Sequence, residues 1–285
     1  MGSSCSSDFK KGRWGSRQRP PPEGSGHSSP VYSGLMSGHS KWSTIKRQKG
    51  ANDAKRGAIF TKVAREISIA ARAGGGDPDA NYRLRLAMDK ARSVNMPADN
   101  IKRAIDKATG SGDAEVFEEI VYEGYGPGGV AFLVEAATDN RNRTAADVRA
   151  MFTKAGGQLA GSGAVAWQFE PRGLITVPAS STDADTVALA AIDAGADDVD
   201  TSGDEVVEVY TSPGDLERVR LALDKAGIQV DSAESAMIAK QQVPVDENRA
   251  RQNLRLVEML EDLDDVQRVT ANFDIPEEIF AEVAG

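Results

Sequence analysis

The texture of this chain changes near Gly112, and the charge balance turns over at almost the same place. Before that point apolar residues recur at helical spacing. Beyond it, short β-rich runs alternate with helical ones, so the chain reads as a helical unit joined to an α+β body. From Met36 to Lys107 there are 16 Lys+Arg against 7 Asp+Glu, a balance of +9. From Ala108 to Gly285 there are 13 against 34, a balance of −21. The overall charge of −9 therefore conceals a basic module on an acidic body. Local cation density is what gives affinity for phosphate, so this partition points to a nucleic-acid contact. The acidic body repels bulk nucleic acid and restricts the direction of approach.

Composition removes several classes of function. No apolar run approaches the roughly 20 residues that a membrane helix needs. The only Cys is Cys5, and the two His are His27 and His39. From Met36 onward one His and no Cys remain, which excludes Cys–His nucleophilic catalysis and any His/Cys metal site there. Carboxylate chemistry stays open, but no spacing picks out a pair of acids. Residues 1–35 are rich in Ser, Gly, Pro and Arg, include Pro20-Pro21-Pro22, and read as a disordered extension. They lack the apolar core of a secretory signal. Their acid-poor, Ser- and Arg-rich composition is faintly like an organelle transit peptide, but Pro and Gly would break its amphipathic helix. Met36 is therefore the expected functional start, and the cytoplasm the expected compartment.

Within the basic module, Ile59, Phe60, Val63, Ile67 and Ala70 fall on one face of a helix over 54–73. Lys55, Lys62, Arg65 and Arg72 fall opposite. Gly74-Gly75-Gly76 ends it, and Asp77-Pro78 is the expected cap and first position of a second helix running to Val94. That helix buries Leu84, Met88 and Ala91. Met96-Pro97 begins a third, with Ile101, Ile105 and Ala108 inward. In the body, 117–125 and 130–137 form a hairpin, and Thr144 is the expected cap of a helix stopped by Gly156-Gly157. A strand is expected over 164–169. Strand 174–177, helix 185–194, strands 197–200 and 206–210, helix 213–226 and strand 228–233 follow in βαββαβ order, the ferredoxin-like split pattern. Helix 247–263 and strand 266–273 have no local partner, and would complete the sheet begun at Phe117. The expected class is α+β: an N-terminal three-helix domain followed by two α+β domains, one a ferredoxin-like βαββαβ unit inserted in the other. The boundaries are 36–112 for the helical domain, 113–170 and 244–285 for the split middle domain, and 171–243 for the insertion.

Three motifs carry possible chemistry. Gly124-Tyr125-Gly126-Pro127-Gly128-Gly129 superficially resembles a nucleotide loop, but it lies between two strands and lacks a following Lys-Ser/Thr, so it reads as a hairpin turn. Asp139-Asn140-Arg141-Asn142-Arg143-Thr144 places two Arg before a helix N-terminus, which favours anions; the alternative is an Asx-rich turn with a cap. The strongest signal is the run from Ser37 to Lys49. Its Lys41, Lys46, Arg47 and Lys49 suit phosphates, while Trp42 and His39 could stack on exposed bases. Trp42 alone could equally anchor the helical core.

These residues together resemble the YebC family. Met36-Ser-Gly-His-Ser-Lys-Trp42 with Lys49-Gly50, Asp53-Ala-Lys-Arg56 and Phe60-Thr-Lys62 is similar to the family's opening. Further motifs follow at Asn95–Ile101, Tyr122–Ala131 and Thr138–Thr144, and the resemblance runs in order to about Val283. It implies three domains, one α+β domain inserted in another. It also implies a role in gene expression. The family is described as DNA-binding transcriptional regulators in bacteria. It includes a mitochondrial translational activator, and bacterial members are implicated in relieving ribosome stalling at proline runs. None is known as an enzyme.

The reading is a non-enzymatic, cofactor-free and metal-free regulator that binds nucleic acid, either the ribosome and its RNA or duplex DNA. No clear helix-turn-helix is present, and dispersed cations suit a ribosome, so RNA is favoured over sequence-specific DNA binding. A carboxylate hydrolase and a protein-binding adaptor are weaker alternatives. The candidate contacts are His39, Lys41, Trp42, Lys46, Arg47, Lys49, Lys55, Lys62 and Arg65 in the basic module, with Arg141 and Arg143 in the body. Replacing Lys46, Arg47 and Lys49 together by Ala is expected to weaken binding across sequences. It should flatten the log–log salt dependence by roughly 2 to 3 units, read from affinities over a salt series.

Overall fold

The structure is a computed structural model that describes residues 53–110, 116–203, 206–275 and 279, with side chains from residue 57. The expected extension 1–35 and the cationic run from His39 to Lys49 lie outside the described residues.

Helix α1 spans Asp53–Gly74, α2 Tyr82–Ser93 and α3 Ala98–Thr109. Their shared core holds Val63, Ile67, Leu84, Met96 and Ile101, with alanines at 70, 71, 87, 91, 104 and 108. So many alanines let the three helices approach closely. The expected cap Asp77 does not start α2. Its carboxylate instead accepts from the Asp79 amide at 3.0 Å, closing a local turn, and Asn81 caps the helix by accepting from the Leu84 amide at 3.1 Å. The Asn81 amide group also donates to the Ala70 and Gly75 carbonyls, each at 2.8 Å. One buried side chain thus satisfies the end of α1 and the start of α2.

Strands β1 (Glu118–Tyr125) and β2 (Ala131–Thr138) form the expected antiparallel hairpin. Gly128 and Gly129 have φ of +83° and +80°, which the turn requires. A Cβ on Gly126 would meet Asn253 Oδ1 at 2.4 Å. This is the geometry of a tight turn pressed on a helix, as the motif's position between strands implied. Helix α4 (Arg141–Lys154) follows, capped by Asn140 rather than Thr144, which lies one turn inside. A short β3 (Gln158–Leu159), not anticipated, pairs with β1.

The strand expected over 164–169 is a 3-10 turn, Ala166–Gln168, and β4 begins after it at Phe169–Pro178. The cause is Glu123. Its buried carboxylate accepts from the amides of Gly163, Val165 and Ala166 at 2.6, 2.7 and 2.9 Å, curling a backbone that would otherwise extend. Burial alone would raise this carboxyl; the three amides outweigh it and hold its pKa below the ordinary value.

The βαββαβ unit continues with α5 (Ala184–Asp193), β5 (Asp198–Asp200), β6 (Val206–Thr211), α6 (Leu216–Lys225) and β7 (Ser232–Ala239). Its sheet order β5-β6-β4-β7 is antiparallel throughout and ferredoxin-like. The last strand lies later than the expected 228–233. Ile228 instead packs into the core beside the end of α6. Helix α7 (Glu247–Glu261) and β8 (Val266–Ala271) then return to the first sheet, whose order is β3-β1-β2-β8. Phe132, Phe152, Leu256 and Leu260 fill the core between that sheet and helices α4 and α7. Arg268 on β8 joins the two sheets, pairing with Glu234 and donating to the Ser235 carbonyl at 2.6 Å.

Replacing Asn81 by Ala is expected to cost about 2 kcal/mol, from the lost cap and two stranded carbonyls. Asn81→Asp, which keeps the acceptor but not the donors, should fall between. Urea unfolding of the three proteins measures both.

Candidate nucleic-acid interface

The two cationic regions read from the sequence meet at one carboxylate. Asp265 is the last turn residue before β8, and its side chain is 9% exposed. Its Oδ1 accepts from Arg65 Nη1 of α1 at 3.0 Å. Its Oδ2 accepts from Arg143 Nη2 at 2.7 Å, the Thr144 hydroxyl at 2.7 Å and the Thr138 hydroxyl at 3.1 Å. Burial would push the Asp265 carboxyl up. The hydrogen bonds from Arg143, Thr144 and Thr138 and the Arg65 charge outweigh it, so its pKa lies below the ordinary 3.8.

This arrangement changes what three expected phosphate contacts do. Lys62 Nζ donates to the Glu261 carbonyl at the end of α7. Arg65 donates also to the Asp264 carbonyl, lies 5.3 Å from the centre of the Phe117 ring, and is only 17% exposed. The cationic side of α1 is thus turned inward on the body over this stretch, not outward as the helical wheel suggested. A basic helix beside an acidic body finds its counter-charges there before it meets solvent. Arg143 is 47% exposed but held by Asp139 at 2.7 Å as well as by Asp265. Arg141 is different: 65% exposed, with a surface ion pair to Glu118 at 3.1 Å. Such pairs hold a side chain weakly. Its backbone is fixed by Asn140 capping α4 and by the Tyr122 hydroxyl, which donates to the Arg141 carbonyl at 3.2 Å. Lys55 lies on α1. His39, Lys41, Trp42, Lys46, Arg47 and Lys49 lie outside the described residues.

Beside Asp265 a cleft of about 890 Å³ opens between the helical part and the first sheet's helices. Arg65, Arg72, Arg103 and Lys107 line one side; Asp139, Asp147, Asp262 and Asp264 line the other, with Arg143 among them. Arg103 and Lys107 were not among the expected contacts. Four residues apart on α3, both are exposed on the side away from Ile101 and Ala108, so the same helical spacing that placed the core could have found them. Asp265 had no such signal, because its partners lie 122 and 200 residues away in sequence. Among the described residues no group of His, Cys, Asp and Glu is arranged to hold a metal ion. No described helix is long and apolar enough to cross a membrane.

These features define an α+β protein in which a basic three-helix part is fastened by charge to an acidic two-sheet body. The chain belongs to the TACO1/YebC family. Residues 40–111 match the family's N-terminal domain and residues 117–273 its second and third domains. It is 55% identical to a "Probable transcriptional regulatory protein" of Rubrobacter xylanophilus over 251 residues, 88% of this chain and all of that one. A protein of the same description from Roseiflexus castenholzii is 58% identical over 249 residues, covering 86% and 97%. The crystal structure of a conserved hypothetical protein from Aquifex aeolicus matches with a TM-score of 0.75 at 48% identity, over 80% of this chain and 93% of that one.

Because the Asp265 pKa is depressed on folding, its stabilisation is full above the unfolded aspartate value and is lost as pH falls through the folded one. Asp265→Asn is expected to destabilise the chain by about 2 to 3 kcal/mol at neutral pH, since it leaves Arg65 without a counter-charge. It should also make the acid limb of the stability curve shallower. Thermal melts of both proteins between pH 7 and pH 3 check the two effects together.

Proposed function

We propose that this protein is a non-enzymatic, nucleic-acid-binding regulator of gene expression, acting in the cytoplasm on RNA at the ribosome. The observation that carries the reading is the +9 module set on a −21 body. That split concentrates affinity for phosphate at one end of the chain while the other end repels it. Relatives described as probable transcriptional regulatory proteins support the broader class, regulation of gene expression.

The preference for RNA rests on how the cations are held. Arg83 and Arg85 of α2 pair with Glu119 and, at 3.1 Å, Glu217 of the body. With Lys62 and Arg65 also tied to it, neither α1 nor α2 is presented as a free recognition helix for a major groove. The exposed cations of the described residues are instead dispersed, among them Lys102, Arg103 and Lys107 on α3, Arg141 at the head of α4 and others over the body. Scattered points suit a large, folded RNA surface better than a short duplex. The candidate contacts are therefore the cationic run from His39 to Lys49, Lys55 on α1, and Arg141. Arg143 contributes by holding the loop, and Lys62 and Arg65 by holding the module in place. The second reading, a sequence-specific DNA-binding transcriptional regulator, is favoured by the relatives' description.

Arg141→Ala is expected to reduce ribosome association by about tenfold with little change in duplex-DNA affinity and an unchanged thermal midpoint. Ribosome pelleting and a DNA titration at matched salt measure this on one preparation. Loss of DNA binding with intact ribosome pelleting would replace the RNA reading with the transcriptional one. Arg143→Ala is a poor probe of contact, because it also removes a donor from buried Asp265.

A further inference from the structure

Trp167 is 68% exposed, the largest of the exposed hydrophobic side chains among the described residues. Its exposure is not that of a loose loop. The Trp167 indole N–H donates to the Ala164 carbonyl at 3.1 Å, and the Trp167 carbonyl accepts from Lys240 Nζ at 2.9 Å. The segment just before it is pinned by the three amide bonds to Glu123, whose carboxylate is buried beneath the first sheet. Val165 and Phe169, on either side, are buried among Ala131 and Leu133. The backbone is therefore anchored before and after the indole, and the indole is held outward.

What remains on offer is the ring face. The single polar group of the indole is already satisfied, so a partner gains stacking and not a hydrogen bond. Residues 155–169 contain no Asp or Glu; of the nearest carboxylates, Glu123 is buried under the segment's amides and Glu170 pairs with Arg172 at 2.6 Å, while the exposed ammonium of Lys240 stands at the segment's edge. A ring face beside a cation, with carboxylates absent from its segment, suits a nucleobase and the phosphate that follows it. Base stacking on an aromatic side chain needs an unpaired base, since a duplex hides its faces.

We propose that Trp167 is a preorganised stacking platform for an unpaired base of single-stranded RNA, with Lys240 beside it for the phosphate. This rests on the nucleic-acid reading above and adds a contact point to it. Tyr122 and Glu123, adjacent on β1, point to opposite faces of the first sheet, one supporting Arg141 and the other the Trp167 turn. A partner touching both must reach around the sheet, as a large RNA with a single-stranded segment can.

The test uses the full chain, a single-stranded adenylate oligomer of about 12 nucleotides and an RNA duplex of the same length. Trp167→Ala is expected to weaken oligomer binding by about tenfold and leave duplex binding unchanged. Trp167→Phe, which keeps a ring, should recover most of the loss. Circular dichroism and the thermal midpoint should match the parent. If Trp167→Ala binds the oligomer as the parent does, while the Lys46, Arg47, Lys49 triple variant is weakened on both probes, the platform is disproved and the nucleic-acid reading stands. Equal weakening of oligomer and duplex by Trp167→Ala also overturns the platform. If the parent binds neither probe, the nucleic-acid reading fails and the platform with it.

Discussion

Asp265 is the residue on which the arrangement of the molecule depends. A carboxylate buried without partners would be neutralised or expelled. Here both oxygens are engaged, one by Arg65 from the helical part and the other by Arg143, Thr144 and Thr138 from the body. The same residue accepts from the Ala137 amide through its backbone carbonyl at 2.8 Å, which fixes it to the end of β2. The helical part has its own apolar core. What holds it at this position is largely polar: the Asp265 cluster, the Lys62 bond to α7, and the pairs of Arg83 and Arg85 with acids of the body. Tyr82 and Leu86 add an apolar contact on the ferredoxin-like unit.

That design gives the charge split two roles. Part of the positive charge is consumed internally, matched to the acidic body and partly removed from solvent. Among the described residues others, Lys102, Arg103 and Arg141 among them, stay exposed, and the proposed function assigns such charges to phosphate. Polar fastening of this kind weakens with salt and with acid, whereas apolar packing has no charge to screen or titrate.

Glu123 shows the same principle used for shape. It is an acid placed where an alternating strand would put an apolar residue, and it is satisfied by backbone amides instead of a cation. The result is a fixed turn that carries an exposed indole. In both places a buried carboxylate organises neighbouring chain, and neither needs a reaction to account for it. Two of the acids in this body are thus structural, which weakens any inference from acid count alone to hydrolytic chemistry.

The sequence by itself determined the class and order of the elements, because hydrophobic period and glycine punctuation are local. The three helices, the hairpin with its glycine turn, the βαββαβ succession and the return of α7 and β8 were all legible on those grounds. The misses differ in cause. Asp77 and Thr144 looked like caps, but Asn81 took the role with bonds back to α1 that a linear pattern does not show, and Asn140 took it through a local bond three residues on, one turn before Thr144. The turn at Ala166 looked like a strand because its curling comes from Glu123, some 40 residues earlier. The sequence also identified which residues are cationic. Only the tertiary structure decided which of those charges face the body, because Lys62 and Arg65 meet their partners about 200 residues away. Charge is a property of a residue, but its availability depends on what the fold brings alongside it.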